Sequence, residues 1–224
     1  MQILTGKDLI IFDLDGTLVD SVNQIIQSVN SSRADFGYEQ RSPDEIFNLI
    51  GLPPAHFFSD LLLQPAEVDK MVMLFRQILD GVEFSYLNVY PGVLELLRFL
   101  EGNNFSLAVA TNKPTQNAKR LLEKVGLLQY FTLVQGSDKM LPKPSPEIIN
   151  KVLNDLNPFF AVMIGDRTED IESAKSAGIK AIGVSQTAHN EEDLKEAGAF
   201  LAFSSMASLC KSIKDLMIID TLRG

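Results

Sequence analysis

The sequence predicts an α/β fold, a doubly wound parallel sheet with a helical domain inserted after its first strand. Three observations carry that prediction. Short apolar runs end in turn residues and are followed by amphipathic stretches, the order of parallel strands with crossover helices. More than ninety residues separate the first apolar run from the second, too many for one crossover. Most of that long stretch carries apolar residues at helical spacing and lacks a strand pattern.

Taken in order, the strands are expected at Leu9 to Phe12, Ser106 to Ala110, Thr132 to Gln135, Phe160 to Ile164 and Ala181 to Val184, with a weaker one near Ala199 to Ala202. Helices are expected at Val93 to Leu100, Pro114 to Val125, Pro146 to Leu156, Thr168 to Ala177 and Glu191 to Ala197, and a packing helix at Ser205 to Met217. Gly126 and Gly178 fall just past two of these helix ends, where glycine readily takes the left-handed conformation that stops a helix. Together they make a Rossmann-like doubly wound parallel sheet over residues 1–19 and 88–224. The insertion, residues 20–87, is read as a small bundle of Ser21 to Phe36, Ser42 to Ile50, Pro54 to Leu63 and Ala66 to Phe84, with Ser42, Pro43 and Glu45 as a helix start.

Composition narrows the function classes. The 224 residues are 46% hydrophobic and 22% charged, ordinary for a globular protein with a real core. A net charge of −9 opposes nucleic acid and anionic membrane surfaces, so neither is an expected partner. The lone cysteine, Cys210, sits in an apolar helical stretch and reads as a buried structural thiol. With no basic segment leading into an apolar one at Met1 to Lys7, and no apolar run of membrane-spanning length, the expected location is cytoplasmic.

The chemistry is expected at the ends of two strands. Phe12-Asp13-Leu14-Asp15-Gly16-Thr17 puts two carboxylates at the C-terminal end of the first strand, where open α/β sheets place ligands. Taken alone, such a pair reads as solvated aspartates in a turn. A second pair, Asp166 and Asp170, follows another apolar strand and spans a helix start, where helix capping would account for it equally well. Two acidic pairs at one sheet edge repel each other unless protons or a cation intervene. A hard divalent ion such as Mg²⁺, which takes oxygen ligands, resolves that conflict. Thr111, Asn112 and Lys143 stand at neighbouring turns and add hydroxyl, amide and ammonium donors, the groups that stabilise a transferring phosphoryl group.

With those four segments in order, Asp13 to Thr17, Thr111, Lys143, and Asp166 to Asp170, the chain resembles the haloacid-dehalogenase superfamily over nearly its whole length. It is similar to the branch with a helical cap between the first two motifs, which includes phosphoglycolate phosphatase-like enzymes. The resemblance implies a Mg²⁺-dependent phosphatase acting on a small phosphorylated metabolite, phosphoglycolate or a sugar phosphate. It further implies a monomer or weak homodimer.

By the same resemblance Asp13 is the nucleophile and a metal ligand. Asp15 is the general acid and base, and its backbone carbonyl is a further metal ligand. Asp166 and Asp170 complete the metal site, Thr111 and Asn112 bind phosphoryl oxygens, and Lys143 offsets charge at Asp13. The presence of Asp15 argues against a dehalogenase, whose halide leaving group needs no proton. A sugar-phosphate mutase and a non-turnover phospho-aspartate signalling module remain the alternatives. Substrate choice is expected in the cap, where Leu49 to Pro53 resembles a loop that reaches the site. There, Ile50 and Leu52 lack the basic groups with which mutases hold a second phosphate. Arg41, His56, Arg76 and Arg167 are left without an assigned role.

Overall fold

In the computed structural model, which describes residues 8–81, 88–187 and 189–214, the chain divides into two compact units, one from Met1–Val19 and Val89–Gly224, the other Asp20–Asn88. The larger unit is built on β1, Leu9–Phe12, whose four apolar residues are all buried. A run that is apolar on both faces suits the middle of a parallel sheet covered by helices. The smaller unit begins at the second residue of β2, Val19–Asp20, and contains α1, Val22–Asp35, α2, Pro43–Phe47, a 3₁₀ turn at Pro54–Phe58, and α3, Pro65–Gly81. The chain then passes through β3, Asn88–Val89, which pairs with β2.

The remaining elements alternate. They are α4 Val93–Gly102, β4 Ser106–Thr111, α5 Thr115–Lys124, a 3₁₀ turn at Leu128–Tyr130, β5 Leu133–Gly136, α6 Glu147–Leu156, β6 Ala161–Gly165, α7 Thr168–Ser176, β7 Lys180–Val184, α8 Glu191–Glu196, β8 Leu201–Phe203 and α9 Met206–Lys214. The main sheet has the order β5-β4-β1-β6-β7-β8, and every pairing recorded between its strands is parallel. From β1 the chain winds to one side through β4 and β5, then crosses back to β6 and continues to the other edge. The β1/β6 boundary is therefore the topological switch point, beside which crevices open at the carboxyl ends of strands.

Apolar burial holds the larger unit together. Leu9, Ile11, Ala108 and Met163 from the sheet pack with Ile148, Ile149, Val152, Ile171 and Ala174 from α6 and α7. Each of the leucine, isoleucine, valine and methionine side chains contributes about 1.5–3 kcal/mol by leaving water. Gly126 and Gly178 close α5 and α7 at φ +71° and +77°, in the left-handed region expected of a terminating glycine. Cys210 is buried on α9, and among the described residues no helix is long and apolar enough to cross a membrane.

In the smaller unit Ile25, Val29, Ile46, Ile50, Phe57, Phe58, Met71 and Phe75 form a separate core. Ser42 starts α2 with reciprocal bonds, its Oγ accepting from Glu45 N at 3.3 Å while Glu45 Oε2 accepts from Ser42 N at 3.1 Å. Two elements are shorter than their apolar patterns suggest. α2 ends at Phe47, where Leu49 N and Ile50 N turn back to Ile46 O and Phe47 O in tighter bonds ahead of Gly51 at φ +93°. The Pro54 segment stays a single 3₁₀ stretch ending at Phe58, and Leu62 is 99% exposed, so its apolar character does not extend the helix. Of the expected Ala66 to Phe84 helix, residues 82–84 lie outside the described residues, as do residues 215–217 of the expected C-terminal helix.

Candidate active site

Asp13 leaves the sheet one residue beyond β1, and Asp166 one residue beyond β6. Phe12 is level with Ile164 in the parallel register, and Asp13 N donates to Ile164 O at 2.9 Å. The two aspartates therefore emerge side by side at the switch point. Gly16 brings the chain back around them at φ +89°, and a Cβ there would lie 2.5 Å from Asp166 Oδ2. Only glycine fits both the dihedral and the space. One carboxylate oxygen each from Asp13, Asp166 and Asp170 comes within 4.8 Å of the others, all three residues being buried. Three of the four acidic residues read from the sequence thus converge.

Lys143 reaches into this cluster from the turn before α6. Its ammonium donates to Asp13 Oδ1 at 2.6 Å, Asp170 Oδ1 at 2.5 Å and Ala110 O at 2.9 Å, using all three of its protons. Asn112 holds the lysine's backbone, with Oδ1 accepting from Lys143 N at 2.8 Å and Nδ2 donating to Lys143 O at 3.4 Å. Thr111 is buried at the end of β4, its Oγ1 accepting from Lys113 N at 3.2 Å.

Asp170 caps α7 and also pairs with Lys143. Its Oδ2 accepts from Arg167 N at 3.2 Å at the start of α7, while its Oδ1 faces Lys143. Asp15 stands apart from the three clustered carboxylates, and its Oδ2 pairs with Lys113 Nζ at 3.0 Å. Asp166 accepts from Thr17 Oγ1 at 2.6 Å on Oδ1 and from Thr187 Oγ1 on Oδ2.

No sequence pattern singles out Lys113, Gln186 or Thr187. Lys113 follows Thr111-Asn112 directly, and that adjacency was the available signal. Of the unassigned residues, Arg167 is buried and pairs with Glu169 at 3.2 Å. Within the smaller unit, Arg41 reaches Asp60 at 3.4 Å, His56 Nδ1 lies 3.0 Å from Pro53 O, and Arg76 is exposed.

Electrostatics set the character of the cluster. Burial, opposed by Lys143 and reinforced by Asp170 and Asp166, pushes the Asp13 carboxyl from 3.8 up to about 8. Burial and then Asp170 push Asp166 up to about 6 against its hydroxyl partners. Burial draws the Lys143 ammonium down, but Asp13 and Asp170 outweigh it and hold the group above its ordinary range. One lysine thus fails to neutralise three buried carboxylates. The donors are oxygens, close together and deficient in positive charge, which is the chemistry of a hard cation site.

A family profile described as "Haloacid dehalogenase-like hydrolase" matches residues 10–184. The chain belongs to the haloacid dehalogenase-like hydrolase family. It is 39% identical over 199 residues to the protein named "Probable phosphatase IndB" of Dickeya dadantii, covering 85% of this chain and 86% of that one. It is 31% identical over 222 residues to a phosphoglycolate phosphatase of Psychrobacter arcticus, covering 91% of this chain and 94% of that one. A crystal structure described as a "predicted phosphatase" from Clostridium acetobutylicum superposes with a TM-score of 0.84 at 30% identity, covering 93% of this chain and 99% of that one.

Proposed function

We propose that this hydrolase of phosphoric monoesters releases phosphate from a small phosphorylated metabolite through a phospho-aspartyl intermediate on Asp13, with Mg²⁺ as its cofactor. The observation that carries the reading is the buried junction of Asp13, Asp166 and Asp170 around Lys143. Phosphoglycolate is the foremost substrate candidate, because a relative of that name aligns over 91% of the chain. A sugar phosphate is the next. Arg33 and Arg41 both engage Asp60 within the smaller unit, which argues against those arginines as holders of a second phosphate.

In the reaction, an Asp13 carboxylate oxygen attacks phosphorus and the ester P–O bond breaks. Asp15 delivers its proton to the departing oxygen. A water, deprotonated by Asp15, then attacks the same phosphorus, releasing phosphate and restoring the Asp13 carboxylate. Lys143 holds Asp13 in position and offsets its charge, while Thr111 donates its hydroxyl to a phosphoryl oxygen. Mg²⁺, held by Asp13, Asp166, Asp170 and the backbone carbonyl of Asp15, would neutralise the negative charge of the phosphoryl group. We assign the helical unit Asp20–Asn88 the role of a cap that excludes water and selects the leaving group.

A phosphate-release screen over phosphoglycolate, hexose phosphates and nucleotides, with and without EDTA, tests this. Hydrolysis of one class, abolished by EDTA, is the expected result. Isomerisation of a sugar phosphate without phosphate release would contradict it.

The acidic cluster also predicts how Mg²⁺ stabilises the protein. Asp13 and Asp166 titrate near 8 and 6 instead of the ordinary 3.8, so between those values the metal-free folded chain holds more protons than the unfolded one. Their contribution to stability therefore falls as pH rises from about 4 through 8. A bound cation needs those carboxylates ionised, so its stabilisation grows over the same window. The rise in Tm on adding Mg²⁺ is expected to be larger at pH 8 than at pH 5. At a hundredfold excess over Kd it corresponds to about 2.7 kcal/mol. Equal shifts at both pH values would contradict the assignment.

A further inference from the structure

We propose that the loop following β7 is a positioning device for the Asp166 carboxylate, with Thr187 and Gln186 as its two positioning residues. The proposal rests on reading Asp166 as a metal ligand. Thr187 acts directly, donating its hydroxyl to Asp166 Oδ2. Gln186 acts through the opposite side of the same carboxylate. Its Nε2 donates to Gly16 O at 3.1 Å and Thr17 O at 3.2 Å, and the turn so held presents Thr17 Oγ1 to Asp166 Oδ1 at 2.6 Å. Adjacent residues thus fix both oxygens of one carboxylate by two routes.

The loop is anchored well enough to do this. Gln186 Oε1 accepts from Met206 N at 2.7 Å, satisfying a backbone donor at the start of α9 that has no partner within its own helix. Ser185 N donates to Phe203 O at 2.8 Å, tying the loop to β8, and Ser185 Oγ donates to His189 O at 2.9 Å. The amide of Gln186 therefore bridges the Gly16-Thr17 turn to a helix end, with its donor and acceptor both engaged.

The type of partner matters as well as its place. Asp13 and Asp170 share the ammonium of Lys143, whereas the side chains bonded to Asp166 are two neutral hydroxyls. A hydroxyl orients a carboxylate without cancelling its charge. Each Asp166 oxygen accepts one hydrogen bond and keeps a second lone pair. That combination, fixed direction and undiminished charge, is what a cation ligand needs, and partners of this kind govern metal affinity in other sites.

The test is Mn²⁺ binding to substrate-free protein, followed by electron paramagnetic resonance, with Mn²⁺ as a probe of the hard-cation site. Thr187→Val and Gln186→Met are each expected to weaken Mn²⁺ binding roughly 10–100-fold. Thr187→Ser, which keeps the hydroxyl, is expected to restore it. Because both routes end on one carboxylate, the double variant is expected to lose less than the product of the single losses. Affinity within about twofold of wild type in folded Thr187→Val, or Thr187→Ala if the valine variant does not fold, would overturn the proposal, since a purely structural role moves Tm without moving affinity. Wild-type protein that binds no Mn²⁺, or Asp166→Asn that binds it as tightly as wild type, would instead overturn the reading of Asp166 as a ligand.

Discussion

Asp13→Asn is expected to reduce phosphate release by roughly 10⁵-fold, the scale of removing the nucleophile from a covalent hydrolase. The substitution keeps the shape of the side chain and removes the attacking oxygen's charge. It also removes a carboxylate whose burial raises it to about 8, so the metal-free variant is expected to be at least as stable as the wild type near neutral pH. Loss of activity without loss of stability is characteristic of a site that holds strain for function. Steady-state kinetics beside a urea titration checks both halves. A variant that retains activity would remove Asp13 from the reaction, and one that loses activity only by unfolding would leave its role unsupported.

Lys143→Met is expected to destabilise the metal-free protein by about 3–5 kcal/mol, because removing one partner of a buried ionic cluster leaves the others uncompensated. Asp13 and Asp170 then face each other across the space of a 2.6 Å and a 2.5 Å contact with no cation between them. Protonation relieves that repulsion, so the loss is expected to be larger at pH 8 than at pH 5. Mg²⁺ should restore more stability to this variant than to the wild type, since it supplies charge where the lysine did. Urea titrations at both pH values, with and without Mg²⁺, read all of these effects. A loss under about 1 kcal/mol at pH 8 would contradict the role of Lys143 as the cation that holds the cluster together.

Much of the fold was legible because strands and helices write local periodic patterns. β1 falls at Leu9–Phe12 as expected, and the other main-sheet strands lie within about two residues of their expected bounds. One exception occurs where apolar residues follow a proline-rich turn. Leu61, Leu62 and Leu63 look like the end of a helix, yet the chain has already left its 3₁₀ stretch at Phe58.

The ionic cluster was legible for a different reason. Each of Asp13, Lys143 and Asp166 stands at an element boundary where such a side chain needs a partner or a task. The supporting hydrogen bonds carried no such signal. Gln186 lies 170 residues from Gly16, and Thr187 lies 21 residues beyond Asp166, so only the β1/β6/β7 arrangement brings them together. The bond between the Asn112 amide and the backbone of Lys143, 31 residues away, was hidden for the same reason. The burial of Asp13 was equally hidden, although the repulsion from Asp170 and Asp166 that adds to its raised pKa was expected.

The stereochemical course at phosphorus tests the central claim most directly. Hydrolysis of a substrate chiral at phosphorus, as an isotopically labelled thiophosphate ester in labelled water, reports whether one displacement occurs or two. Transfer first to Asp13 and then to water requires two in-line displacements and predicts net retention of configuration. Net inversion would mean direct attack by water and would contradict the phospho-aspartyl intermediate.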